Sequence, residues 1–165
     1  MAPPPPGFDA SGVSPQDAIV TLRSLKRRFA EAFDRADPPD AVSQPFAGGL
    51  SPLDHAAWTA TALDQLGAAL HQVLVADDPE VRLPPEDPPA GAGGGGGDPA
   101  AVLARLGERA DALAAAMSEV HGKDWSRTGR GPSGEVTALD IARLAVRLGI
   151  DHLRAAETAL QGGRG

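Results

Sequence analysis

Residues 137–161 read TALDIARLAVRLGIDHLRAAETALQ and carry the clearest structural pattern of the chain. Residues three and four positions apart fall into two sets, as the 3.6-residue period of an α-helix requires. The apolar set is Ile141, Ala145, Leu148, His152, Ala156 and Ala159. The polar set is Asp140, Arg143, Arg147, Asp151, Arg154 and Thr158. The two sets lie on opposite faces, so the pattern predicts an amphipathic helix that directs His152 inward.

Three further segments begin as helices typically do. Ser14, Ser51 and Asp98 are each followed by proline, which is the usual order of a capping residue and a first helical residue. Apolar residues at helical spacing follow each start. The sequence therefore predicts an all-α four-helix bundle over 14–161. Its helices are expected at about 14–36, 51–76, 98–121 and 137–161.

The remaining segments are rich in proline and glycine. Residues 1–13 contain Pro3–Pro6 and are predicted to be a disordered tail, and residues 162–165 form a second, short tail. Residues 77–97 are acidic, then proline-rich, then almost entirely glycine, which indicates a long flexible crossover loop. Trp125 stands alone in the last connection and is expected to anchor it to the end of the bundle.

Composition excludes several classes of function. The 165 residues carry a net charge of −7, which argues against binding to nucleic acid or to an anionic membrane surface. The chain has no cysteine, so disulfides, thiolate nucleophiles and cysteine-ligated zinc are excluded. No apolar run approaches the roughly 20 residues of a membrane helix, and the start of the chain does not resemble a signal peptide. A cytoplasmic location is expected.

Three segments together resemble a known family. They are SPLDHAAW at Ser51–Trp58, ADDPE at Ala76–Glu80, and DWSRTG at Asp124–Gly129. In this order and spacing they resemble the DinB-like superfamily, which includes YfiT-like proteins and the mycothiol-dependent maleylpyruvate isomerase domain. The last two segments are most similar to an actinobacterial branch of it. The resemblance covers about residues 14–161.

The resemblance implies a bundle topology and a metal site. Members are up-down-down-up four-helix bundles that commonly hold a divalent metal, often zinc or nickel, near one end. One histidine comes from the second helix and a His/Glu/Asp-x-x-x-His pair from the fourth. Three ligands leave open positions for a thiol or water. In mycothiol-using members the cofactor supplies the sulfur, so the absence of cysteine does not conflict with the resemblance.

Carried onto this chain, the family ligands are mostly replaced. The second-helix histidine falls on Trp58, and the fourth-helix pair falls on Leu148 and His152. A register one residue earlier gives Arg147 and Asp151 instead. Either register keeps at most one ligand, so we expect a degenerate site without a metal cofactor. This prediction requires the side chains at 58, 148 and 152 to meet at one end of the bundle.

Three hypotheses of function follow. The first is a non-catalytic binding or regulatory module for a small molecule or a protein. The alternative is a divergent metal- or thiol- (mycothiol-) dependent transferase or hydrolase. It would use a residual pocket of His55 and His152 with a carboxylate such as Asp54, whereas the favoured interpretation makes these two histidines structural. The third is a homodimer formed through a bundle face.

Overall fold

The computed structural model describes residues 7–46, 49–85, 88 and 97–162. Four long helices form its body, close to where the sequence predicts them. They are α1 (Pro15–Asp34), α2 (Pro52–Val75), α3 (Pro99–Ser118) and α4 (Ala138–Gly162). Short 3₁₀ turns at Pro39–Ser43 and Gly122–Ser126 follow α1 and α3. Within the described part of the chain, no helix is long and apolar enough to span a membrane.

Polar residues cap three of the four helices as their sequence predicts. The Ser51 hydroxyl accepts a hydrogen bond from the Asp54 N–H, and the Asp54 carboxylate accepts one from the Ser51 N–H. Thr137 and Asp140 form the same reciprocal pair at the start of α4. Ser14 accepts a hydrogen bond from the first turn of α1. These bonds satisfy amides that the helices themselves leave free.

Contacts between helices establish their directions. α2 and α4 are antiparallel, because His55 near the start of α2 meets His152 in the second half of α4, whereas Arg127, which precedes α4, meets Val73 near the end of α2. α2 and α3 are parallel, since their contacts advance together along both helices. These contacts join Thr61 to Arg105 and Asp64 to Arg109.

The ends of α1 and α4 lie together. Ala32 and Arg35 line the same small pocket as Leu160 and Gln161, so α1 runs parallel to α4. α1 packs against α3 and α4, and α2 packs against the same two helices. The topology is therefore up-down-down-up, as the family resemblance implies. The helices enclose one core of leucine, alanine, isoleucine and valine that also holds Phe29.

The connection before α4 contains a β-hairpin that the sequence analysis did not predict. β1 (Thr128–Gly131) and β2 (Gly134–Thr137) pair antiparallel. Gly134 closes the turn with a φ of +118°, a conformation that side chains other than glycine rarely adopt. The hairpin holds Val81 at the start of the predicted crossover loop, through a hydrogen bond from its N–H to the Arg130 carbonyl. Residues 86–87 and 89–96 of that loop lie outside the described residues.

The segment before α1 also differs from its prediction. Residues 1–6 of the predicted tail, like residues 163–165, lie outside the described residues. Residues 7–13, which we call the N-terminal strap, pack on α4 instead of forming a disordered tail. The Phe8 N–H donates to Asp151 Oδ1 at 2.8 Å, and Arg143 Nε donates to the Val13 carbonyl at 2.9 Å. The polar face of α4, expected to meet solvent, thus binds the strap.

Candidate functional site

Two histidines from different helices meet at the end of the bundle where α2 begins. His55 Nδ1 and His152 Nδ1 are 2.9 Å apart, and the ring centroids are 5.2 Å apart. His152 is only 6% exposed, whereas His55 is half-buried. A hydrogen bond between two Nδ1 atoms holds one proton, so one ring donates and the other accepts. The pair cannot carry two positive charges without breaking this bond.

The surroundings keep His55 neutral. Burial and, to a smaller extent, the neighbouring His152 together lower the pKa of His55 from 6.5 to about 4, while Asp54 opposes the shift. Removing an imidazolium from water is unfavourable, and a second imidazolium beside it would repel it. At neutral pH the His55 ring is therefore uncharged and able both to donate and to accept hydrogen bonds.

The residues that stand where the resemblance places metal ligands are buried, and they lie close to this pair in the sequence. Trp58 is 5% exposed and follows His55 by three residues, and Leu148 is 2% exposed and precedes His152 by four. Such spacings place side chains on one face of a helix. Of the two α2 residues, His55 and Trp58, it is His55 that is hydrogen-bonded to His152. The indole Nε1–H of Trp58 is buried and meets no acceptor among the described residues.

The donor set does not amount to a three-ligand metal site. Among the described residues, no group of three or more histidine, aspartate or glutamate side chains is placed to hold an ion. Asp54, the carboxylate considered with the two histidines, is buried and caps α2 through Ser51. The residues at this end of the bundle therefore do not fit the metal that the family resemblance implies.

Arg147 and Asp151, the pair in the alternative register, lie on the other face of α4. Their side chains form an ion pair with Nε and Oδ2 3.8 Å apart, and Asp151 also binds the strap. The polar pattern of α4 did not predict that Asp151 holds the strap. The available indications were Phe8 and Val13, two apolar side chains in the predicted tail that pack against the core.

A groove opens beside the histidine pair. Its volume is about 870 Å³, within the range of small-molecule sites. The strap, the connection before α2, α2 itself and the last turns of α4 all contribute to its walls. The lining of the groove includes His55, Phe46, Leu50, Asp151, Arg154 and Thr158. The groove thus offers an apolar wall and several hydrogen-bonding groups around one neutral imidazole.

Two of the segments that carry the family resemblance meet at the other end of the bundle. Arg127 Nε donates to the Val73 carbonyl and its Nη2 to the Ala76 carbonyl, both at 3.0 Å. These are carbonyls at the end of α2 that lack helical partners. At Gly129 a Cβ would lie 3.0 Å from the Pro79 carbonyl oxygen. The segments around 76–80 and 124–129 are therefore structural, and Trp125 packs against the core as predicted.

Replacing Arg127 by alanine should destabilise the bundle. The two carbonyls would lose a charged partner, and we expect the free energy of unfolding to fall by about 1 kcal/mol. Arg127→Lys should not restore the lost stability, because one ammonium group cannot reproduce the hydrogen bonds of a guanidinium to both carbonyls. Urea denaturation measures the change. Arg130→Ala is the matched control, since Arg130 pairs with Asp78 and Glu80 on an exposed surface. Equal effects of the two variants would contradict the capping role.

Comparison with known proteins agrees with this architecture. The structure superposes on YfiT from Bacillus subtilis with a TM-score of 0.75 and 19% sequence identity, covering 98% of this chain and 93% of that one. YfiT is described as a probable metal-dependent hydrolase with an unusual four-helix bundle topology. No curated protein matches the sequence. The family model of the DinB superfamily matches residues 21–156. Since this match covers most of the chain, the protein belongs to the DinB superfamily.

Proposed function

We propose that this protein is a non-catalytic DinB-superfamily module that binds a small molecule in the groove beside His55, and that its metal site is degenerate. The observation that carries this proposal is the 2.9 Å contact between His55 Nδ1 and His152 Nδ1. Each of these atoms is engaged by the other ring. While this hydrogen bond persists, neither Nδ1 has a lone pair free for an ion, and metal binding would have to break it.

The apolar neighbours support the same conclusion. Trp58 and Leu148, which stand where the resemblance expects ligands, are almost completely buried. Disturbing even an outer partner of a metal ligand costs about 10–100-fold in affinity. Losing two direct ligands should cost more than that. Hydrophobic side chains at these positions contribute to the core instead.

The groove determines the kind of ligand we propose. Phe46 and Leu50 offer apolar contacts, while His55 and Thr158 offer neutral hydrogen-bonding groups. The charged Asp151 and Arg154 already contact Phe8 of the strap. A small, largely apolar molecule with one or two polar atoms fits this combination. We place the polar atom against the His55 ring, because that ring is uncharged at neutral pH and can serve as donor or acceptor.

A hydrolase or transferase is the second candidate, and the likeness to YfiT, a probable metal-dependent hydrolase, favours the hydrolase. This function would need a metal or a thiol cofactor such as mycothiol to supply the reactive group. His55 alone is a weak base for such chemistry, because a pKa of about 4 makes it hold an abstracted proton poorly at neutral pH. The histidine pair therefore supports binding better than catalysis.

Metal analysis separates the two functions. We expect the purified protein to hold substoichiometric metal, and its melting temperature to stay unchanged when zinc or nickel is added. An ion present at 100 times its Kd would stabilise the fold by about 2.7 kcal/mol, which is a shift of several degrees. Stoichiometric metal after mild purification would contradict the proposal. Metal-dependent turnover that is lost in His152→Ala would establish the second function.

A further inference from the structure

The N-terminal strap forms part of the wall of the groove. Gly7 and His55 line the same cavity, together with Asp151 and Arg154 of α4. At Gly7 the main chain lies so close to α4 that an added Cβ would be 2.9 Å from Asp151 Oδ2. Movement of the strap would therefore change the access of molecules to His55.

Three contacts with α4 hold the strap in place. The Phe8 N–H donates to Asp151 Oδ1 at 2.8 Å. The Arg154 guanidinium carbon lies 5.4 Å from the centroid of the Phe8 ring, a distance typical of a cation–π contact. Arg143 Nε donates to the Val13 carbonyl at 2.9 Å. Polar and aromatic contacts at the two ends of the strap thus fix it to α4. In addition, Phe8 and Val13 pack against the core and Ala10 is buried.

These contacts are of a kind that can open. Among the described residues, no backbone–backbone hydrogen bond joins residues 7–13 to another element. Hydrogen bonds within the strap run from the Ser11 N–H to Asp9 Oδ1 and from the Val13 N–H to the Ala10 carbonyl. Segments attached mainly through side chains open at the low end of the free-energy range of native proteins. The strap can therefore leave α4 while keeping its own turn.

We propose that the N-terminal strap is a latch that controls access to the groove at His55. The groove is closed on this side while Gly7 and Phe8 lie on α4, and it opens when they leave. The biological purpose of the latch rests on the proposed ligand-binding function. The opening of the latch can be tested independently of that function, because the accessibility of His55 can be measured without any ligand.

Two glycines of the strap provide a matched pair of variants. In Gly7→Ala the new methyl group meets Asp151, whereas in Gly12→Ala it meets nothing within 4 Å. Both variants replace glycine by alanine within the same strap, so their effects on the unfolded chain are matched. Phe8→Ala removes the ring beneath Arg154 without changing any groove residue of α4.

The probe is diethyl pyrocarbonate, which modifies accessible neutral imidazoles, with the rate at each histidine followed by peptide mass spectrometry. We expect Gly7→Ala and Phe8→Ala to raise the rate at His55, relative to exposed His71, by about two- to fivefold. Gly12→Ala should leave this ratio unchanged.

Unchanged ratios in both Gly7→Ala and Phe8→Ala would overturn the latch, as would a wild-type His55 that reacts as fast as His71. Helical circular dichroism confirms that each variant is folded. Metal analysis of the wild type tests the proposed function separately. Stoichiometric metal would overturn that function but would leave a measured change in His55 accessibility standing.

Discussion

Leu148→His is expected to give this protein a zinc or nickel affinity at least about 100-fold above that of the wild type. Residue 148 lies one helical turn before His152, so the two imidazoles would project together. The His55 and His152 Nδ1 atoms are 2.9 Å apart, so a small movement of the rings would give the roughly 3.3 Å that separates two nitrogens bound to one tetrahedral ion. A third imidazole would compensate for breaking the hydrogen bond between them. Equilibrium dialysis with metal analysis measures the gain.

The control for this gain is Ile150→His. Ile150 is also buried in α4, but it lies two residues from His152 and therefore on a different side of the helix. The Ile150→His variant should bind no more metal than the wild type. The double variant Trp58→His plus Leu148→His tests the register of α2. If only the double variant binds zinc or nickel, residue 58 is the ligand position of α2. If Leu148→His alone binds the metal, His55 is the ligand that α2 provides.

Acid should weaken the fold through His55. The folded-state pKa is lowered to about 4 from the ordinary 6.5, so the unfolded chain takes up a proton at a higher pH than the folded protein does. The free energy of unfolding therefore falls as the pH drops from about 6.5 to about 4. A shift of this size in a fully buried group would be worth about 3 kcal/mol, and partial exposure reduces it to about 2 kcal/mol. Urea denaturation between pH 7 and pH 4 measures the loss.

Two glutamine variants isolate this contribution from the carboxylates that titrate in the same range. His55→Gln should lose about 2 kcal/mol less stability over this pH interval than the wild type. His71→Gln replaces an exposed histidine of the same helix and should follow the wild-type curve. Parallel curves for the wild type and His55→Gln would show that the pKa of His55 is not lowered in the folded protein.

Most of the fold could be predicted because its causes are local. The two-sided pattern of residues 137–161 and the capping residues Ser14 and Ser51 act within one or two turns of helix. The hairpin was missed because its strands are short and depend on contacts with Val81 and the end of α2. Short strands with little apolar character leave no clear period in a sequence.

The site was predictable only in part. The inward direction of His152 follows from helical periodicity, and its burial agrees with that. The partner of His152 could not be fixed, because His55 and Trp58 lie one turn apart on the same face of α2. A shift of one turn between two packed helices changes which side chain faces the other helix. The N-terminal strap depends on Asp151, more than 140 residues away, and no local pattern predicts such a contact.

The Arg127 contacts have a consequence for how this fold can diverge. They join the end of α2 to the segment that leads through the hairpin into α4, at the end of the bundle far from His55 and His152. The stability of these contacts does not depend on which side chains occupy the other end of the bundle. Substitutions can therefore accumulate around the groove, and with them new ligand preferences, while the scaffold keeps its shape. An enzyme with this architecture could exchange catalysis for recognition without having to refold.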